Sequence, residues 1–248
     1  MISYMEYEKY IDKFMEEIYE PFYSENNGGM KTPGMFILYT MLSEIKPEVV
    51  IESGVWKGQS TKLIRESVGN DCEIISLDPR TVYGWQDDND NTIYYTDTEF
   101  KDFNELDLTE YADKKIVAFF DDHSNQLHRL KGCYNKNINY VIFNGNYPKN
   151  CGSNLTIQHV FNSDKRFGKL LNQEEKKLLN SIIKKYQIYP NIFPGKITTG
   201  EGDFHSDSYF KEPLYNQIGQ RKDIVEKYKE MFDERETYRW ITLIELQY

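Results

Sequence analysis

Val49-Val50-Ile51-Glu52-Ser53-Gly54-Val55-Trp56-Lys57-Gly58-Gln59-Ser60-Thr61 is the stretch whose reading decides the fold. An apolar run ends in an acid and a glycine, a second glycine follows four residues later, and Ser60-Thr61 opens a helical stretch. This is the pattern of a buried strand turning sharply into a helix, with glycines where a ligand would approach the backbone. About 20 residues on, the spacing of a strand–helix–strand unit, Glu73-Ile74-Ile75-Ser76-Leu77-Asp78 is a second apolar run ending in an acid. A carboxylate there suits the two hydroxyls of a ribose, so the pair of segments reads as a nucleoside-cofactor site. The plainer alternative, a turn whose glycines serve only the chain itself, stays open.

Glycine spacing separates the cofactor classes. A dinucleotide fingerprint is G-x-G-x-x-G, packed against a pyrophosphate. Here the pattern is E-x-G-x-x-x-G, with Glu52 at the strand end before Gly54 and Gly58. A carboxylate beside the loop repels a pyrophosphate and suits a ligand carrying an ammonium or sulfonium group.

Working outward, Tyr7, Tyr10, Ile11, Phe14, Ile18 and Tyr19 recur at helical spacing. Asn26-Asn27-Gly28-Gly29 breaks that pattern, Thr32-Pro33-Gly34 starts a second helix, and Pro47 ends it. Residues 1–46 thus form a helical cap. Strands are expected at Val49–Ser53, Ile74–Asp78, Ile93–Tyr95, Ile116–Asp121 and Tyr140–Phe143, with helical connections between most of them. Such alternation predicts an α/β fold, a mostly parallel sheet covered by helices on both faces. Helices are expected at Leu155–Phe161, Gln173–Tyr186 and Lys222–Glu234, then a closing antiparallel strand at the sheet edge over Tyr238–Leu246. Residues 195–220 have no clear period and read as a lid or insertion. One domain spanning 1–248 is expected.

Composition narrows the function classes. The formal charge of −10 disfavours nucleic acid and anionic membranes as partners. Twenty Tyr and 14 Phe supply enough burial for a core despite an apolar fraction of 39%. Cys72, Cys133 and Cys151 suggest neither disulfides nor zinc. With an acidic N-terminus lacking signal-peptide character and no apolar run of membrane-spanning length, a cytoplasmic location is expected.

The second chemical cluster is Val117-Ala118-Phe119-Phe120-Asp121-Asp122-His123, followed by Gln126 and Arg129. An apolar strand delivers two carboxylates and an imidazole to its carboxyl end, where ligands sit in open α/β sheets. Of these, His123 has the intrinsic pKa best suited to a general base, with Asp121 or Asp122 orienting it or the acceptor. One of the two acids capping the next helix is the structural alternative. His128, His159 and His205 show no metal-ligand spacing.

These motifs resemble motif I and motif II of the class I S-adenosylmethionine-dependent methyltransferases, with a Rossmann-like, seven-stranded sheet. Phe119-Phe120-Asp121-Asp122-His123 with Arg129-Leu130, together with Trp56-Lys57-Gly58-x-Ser60-Thr61, Asp78-Pro79-Arg80 and Tyr147-Pro148, resembles a subgroup near the macrocin-type and cephalosporin-hydroxylase-type sequences. The likeness covers roughly residues 45–160. It implies S-adenosylmethionine held by Glu52, Ser53, Gly54, Gly58, Ser60 and Thr61 at its methionine end and by Asp78 at its ribose. Asp102, after the third strand, would meet the adenine amine, and Asp121, Asp122 and His123 would be catalytic.

The resemblance implies methyl transfer to oxygen on a sugar, in a glycan or a nucleotide-linked sugar. Small-molecule natural products and a catalytically silent binding protein remain as alternatives, as does assembly into a homo-oligomer. Related sugar methyltransferases bind Mg²⁺ through aspartates after the fourth and fifth strands. This chain has Asn144-Gly145-Asn146-Tyr147-Pro148 where an acidic Glu-Asp-Asn-Tyr-Pro would be expected, so no tightly bound metal is expected, with weak help from the amide oxygens of Asn144 and Asn146 at most.

Overall fold

A computed structural model describes residues 8–19, 29–167, 173–188, 196–199, 202–205, 222–229 and 240–248. Its frame is a seven-stranded sheet. Strands β1 (Val49–Ser53), β2 (Glu73–Asp78), β3 (Thr92–Thr96), β4 (Ile116–Phe120) and β5 (Tyr140–Phe143) are mutually parallel. Two more elements complete it, β6 (Ile183–Ile188) and β9 (Thr242–Leu246), and the order across the sheet is β3-β2-β1-β4-β5-β9-β6. A separate antiparallel hairpin joins β7 (Lys196–Thr199) to β8 (Gly202–His205).

Strand periodicity explains how both faces are covered. Val50 pairs with Ile74 and with Val117, and all three enter one core with Phe119 and Ile142. Val49 and Ile51, offset by one residue, enter the opposite core with Ile75, Leu77, Ile116 and Ala118. The central strands therefore carry apolar residues at successive positions rather than in alternation, as strands buried on both faces do.

The first core is closed by α1 (Glu8–Lys13) with its π-helical continuation Phe14–Tyr19, α2 (Thr32–Ile45) and α3 (Gln59–Val68). The second is closed by α4 (Gln126–Asn135), α5 (Ile157–Phe161) and α6 (Gln173–Ile182). A short α7 (Lys222–Lys227) adds Ile224 to the first core. Helix α2 is apolar nearly all round and correspondingly buried. It stops at Lys46, whose left-handed backbone lets its N–H bond Leu42 O just before Pro47.

The C-terminal elements differ in detail from the expectation. The helix expected over Gln173–Tyr186 ends at Ile182, and the chain continues directly as β6. Ile182, Ile183 and Tyr186 fit a helical period, but β-branched and aromatic side chains also suit a strand, and pairing with β9 from Ile183↔Leu246 to Ile188↔Thr242 decides the matter. As a result the antiparallel strand lies one place in from the edge, with β6 outside it. Residues 195–220, read as an aperiodic lid, contain the β7–β8 hairpin; the rest of that segment lies outside the described residues. The closing strand starts at Thr242, and the ends of the expected segments 222–234 and 238–246 fall partly outside the described residues. Among the described residues, no helix is long and apolar enough to cross a membrane.

Candidate active site

At the carboxyl edge of the central strands lies a cavity of about 490 Å³, within the few hundred to a thousand Å³ usual for small-ligand sites. Ser53 and Gly54 after β1, Asp78 after β2, Asp102 beyond β3, Asp121, Asp122 and His123 after β4, and Ser60 in the first turn of α3 all line it. Most of the residues singled out in the sequence are thus brought to one place. Glu52, Gly58 and Thr61 do not line it.

Glu52 is fully buried behind the β1–α3 turn. Its Oε2 accepts from Thr61 Oγ1 at 2.6 Å and from Ser76 Oγ at 2.9 Å, tying β1 to α3 and β2. Burial pushes its carboxyl up to about 7 against the pull of those hydroxyls. Glu52 and Thr61 therefore hold the turn together rather than presenting atoms to a ligand.

The glycines tell a similar story. Gly58 (φ 78°) caps α3, and a β-carbon there would overlap the Trp85 carbonyl. The Trp85 N–H meanwhile donates to Lys57 O at 3.0 Å, so residues 84–85 lie directly on the turn. Gly54 (φ 101°) does line the cavity, but a β-carbon would also sit 2.8 Å from the Asp121 carbonyl. Glycine at 58 makes room for the chain, and at 54 for both chain and cavity.

Asp78 lies at the cavity wall. Its Oδ2 accepts the backbone N–H groups of Val55 (3.1 Å) and Trp56 (2.9 Å), and its Oδ1 accepts the N–H (2.9 Å) and Nε (3.1 Å) of Arg80. Burial pushes the carboxyl up, but these donors outweigh it and hold it below the ordinary value. It is an ionised carboxylate at the cavity wall.

A half-buried ion network also lines the cavity. Arg129, reaching in from α4, bonds Asp122 through Nε (2.9 Å) and Nη2 (2.7 Å) and Asp102 through Nη1 (2.8 Å), lying against the Phe103 and Phe120 rings. Asp122 also accepts from Ser53 Oγ (2.8 Å) and the Ser124 N–H (3.0 Å). Asp102 caps the short helix Phe103–Glu105 by accepting the Asn104 N–H. Burial raises the Asp102 carboxyl, and Asn104 and Arg129 pull it below its usual value. With those partners Asp102 supports the wall, and its expected role toward an adenine amine would have to compete with Arg129.

Asp121 Oδ1 accepts from Asn144 Nδ2 at 2.9 Å. His123 is exposed at the cavity rim with φ 53°, its carbonyl accepting from Asn154 Nδ2. The partners of Asp122 are Ser53, Ser124 and Arg129, not the His123 imidazole. Asn146 points into the core, bonding Tyr186 Oη and Thr242 Oγ1 and accepting the Gln158 N–H. Its amide oxygen is therefore no metal ligand.

Magnesium needs hard, preferably anionic oxygens. Here Asp121 Oδ1 takes an amide donor and Asp122 is saturated by Arg129, Ser53 and Ser124, while among the described residues no group of three His, Cys, Asp or Glu could hold a metal.

Met30, Gln59, Phe100 and Arg129 also line the cavity without having been assigned roles there. Phe100 sits among Asp97, Glu99, Lys101 and Asp102 in the segment after β3, with nothing in the sequence to distinguish it from the buried Phe103. Gln59, which bonds Met30 O at 2.8 Å and so couples the N-terminal region to α3, carries no sequence signal of that contact.

No protein-family model matches the chain, and no curated protein does. Solved structures do. A cmcI structure with Mg-SAM is 17% identical, with TM-score 0.41 over 63% of each chain. A putative O-methyltransferase from Klebsiella pneumoniae is 10% identical, with TM-score 0.47 over 90% of this chain and 84% of that one. An O-methyltransferase from Bacillus cereus in complex with SAH is 10% identical, with TM-score 0.44 over 97% and 90%. The chain spans less than two thirds of the length of the cmcI chain. This is likeness of fold. Five parallel strands in the order 3-2-1-4-5, extended by an antiparallel strand and a parallel outer one, make a Rossmann-like fold.

Proposed function

We propose that the chain is an S-adenosylmethionine-dependent O-methyltransferase. The observation that carries this is the convergence, on one cavity, of Ser53–Gly54, the first turn of α3 and the ionised Asp78. The positive end of α3, with Gly58 offering no side chain as cap, suits the methionine carboxylate. Asp78 suits the ribose hydroxyls, and Phe100 offers a ring for the adenine.

Bound S-adenosylmethionine would supply an electrophilic methyl group to the acceptor oxygen and leave as the neutral thioether, so the chain's own task is to orient the acceptor and take its hydroxyl proton on a base. Asp122 already accepts from four donors, which gives it a positioning role. Asp121 and His123 are the candidates, with Arg129 and Asn144 positioning the carboxylates around them. Magnesium takes no part in this account.

The acceptor we propose is a sugar hydroxyl, resting on the resemblance of residues 45–160 and on a cavity rim of hydrogen-bonding side chains at His123, Ser124 and Asn144. A natural-product hydroxyl is the alternative of the same chemistry. A silent binding protein is favoured by the deep pairing of Asp102 and Asp122 with Arg129. Titration calorimetry with S-adenosylmethionine and S-adenosylhomocysteine tests the cofactor. Binding weakened by Asp78→Asn supports the reading, and no binding to the wild type rejects it. Methyl transfer to any member of a saccharide and phenol panel then separates enzyme from silent fold.

A further inference from the structure

Arg80 lines the cavity, and nothing in the reaction above uses its side chain. Its Nε donates to Asp78 Oδ1 at 3.1 Å and its Nη2 approaches Asp78 Oδ2 at 3.4 Å. Among the described residues, Asp78 is the guanidinium's hydrogen-bonding partner. The two ends of this pair differ sharply, since the Arg80 side chain is 64% exposed and that of Asp78 1%.

Asp78 does not need the guanidinium to stay in place. The N–H groups of Val55 and Trp56 hold Oδ2, and the Arg80 backbone N–H holds Oδ1. A ribose diol needs acceptor positions on this carboxylate, and the side-chain nitrogens of Arg80 already take them. A solvated guanidinium leaves a carboxylate at little cost.

Resting on the nucleoside reading of the cavity, we propose that the Arg80 side chain and the ribose hydroxyls compete for Asp78. Arg80 is thus a displaceable partner that lowers the affinity for a nucleoside cofactor. Loss of a cleft arginine normally weakens ligand binding, so the expected sign is diagnostic.

The test is calorimetric titration of S-adenosylhomocysteine into wild type, Arg80→Ala, Asp78→Asn and the double variant, at low and high salt, with circular dichroism melting to confirm folding. Arg80→Ala should bind about two- to fivefold tighter than wild type at low salt. The gain should shrink toward unity at high salt, where the ion pair is screened, and should vanish when Arg80→Ala is placed on Asp78→Asn. Equal or weaker binding by Arg80→Ala, with wild type still binding, overturns the competition and leaves the cofactor assignment standing. A gain that persists on Asp78→Asn also overturns it. No binding by any folded variant, wild type included, rejects both.

Discussion

Glu52 and Asp78 stand at the ends of neighbouring parallel strands, each the acid that closes an apolar run, yet they do opposite work. Glu52 lies behind the turn, bonded by Thr61 and Ser76 and carried up to about 7 by burial. Asp78 lies at the cavity, bonded by backbone N–H groups of the turn and by Arg80, and is held below its ordinary value. An acid at a strand end is therefore not by itself a ligand group. What decides is the donor set around it: a few hydroxyls in a dry core leave it near neutrality, whereas the Arg80 guanidinium together with converging backbone N–H groups keeps Asp78 charged.

The comparison implies that the β1–α3 turn is built first for the chain's own packing, and the largest expected effect tests that. Gly58→Ala should destabilise the protein by about 2–5 kcal/mol, from left-handed strain plus the clash with Trp85. Gly69 shares the φ of 78° but has ψ −178°, a region essentially reserved for glycine, and nothing lies near its β-carbon position, so Gly69→Ala should show backbone strain alone, about 1–3 kcal/mol. Urea unfolding of the two variants measures the difference. Equal losses would mean that the Trp85 contact yields freely.

Glu52 supplies the next effect. Its folded-state pKa lies above the ordinary 4.5, so its contribution to stability is full below about pH 4.5 and is lost as pH rises through about 7. At 1.36 kcal/mol per unit, the loss across that window is about 3 kcal/mol. Asp78, Asp87 and Asp102, whose values are lowered, act with the opposite sign. The quantity to measure is thus wild type minus Glu52→Gln, by urea unfolding from pH 4 to 8. A difference that does not change with pH would show Glu52 to be ionised and would erase the contrast.

Binding sharpens the same contrast. Asp78→Asn should weaken S-adenosylhomocysteine about 10- to 100-fold, the scale of a hydrogen bond to a charged group. Glu52→Gln should stay within about threefold at a pH where both variants are folded, because its side chain does not reach the cavity. Comparable losses would place Glu52 in the site after all.

Much of this was legible in advance because it is local. The runs Val49–Ser53 and Tyr140–Phe143 are bounded as expected, since a strand buried on both faces shows as an unbroken apolar run. The convergence of Ser53, Asp78 and Asp121–His123 followed from one rule, that the ends of parallel strands share an edge. What was hidden is non-local. Nothing in Ile183–Ile188 announces β9 as its partner, and nothing around Asp122 announces that Arg129 holds it. The orientation of Glu52 was hidden for a related reason. Thr61 and Ser76 become its partners only once α3 and β2 have packed against β1.

The smallest expected effect concerns Asn144, where the chain departs from an acidic motif. Its Nδ2 donates to Asp121 Oδ1. Asn144→Asp would replace that donor with a second carboxylate at hydrogen-bonding distance, and two such groups cannot both ionise unless a cation joins them. The variant should therefore acquire weak Mn²⁺ binding that wild type lacks. At a cation concentration equal to its Kd the stabilisation is about 0.4 kcal/mol, visible as a small rise in Tm that disappears when Asp121→Asn is added. Should wild type show the same Asp121-dependent rise, Asn144 would be serving as a ligand through its amide oxygen. Asp121 would then belong with the acids whose charge a partner stabilises from outside the protein, and the donor-set argument that separates Glu52 from Asp78 would need a cation among its terms.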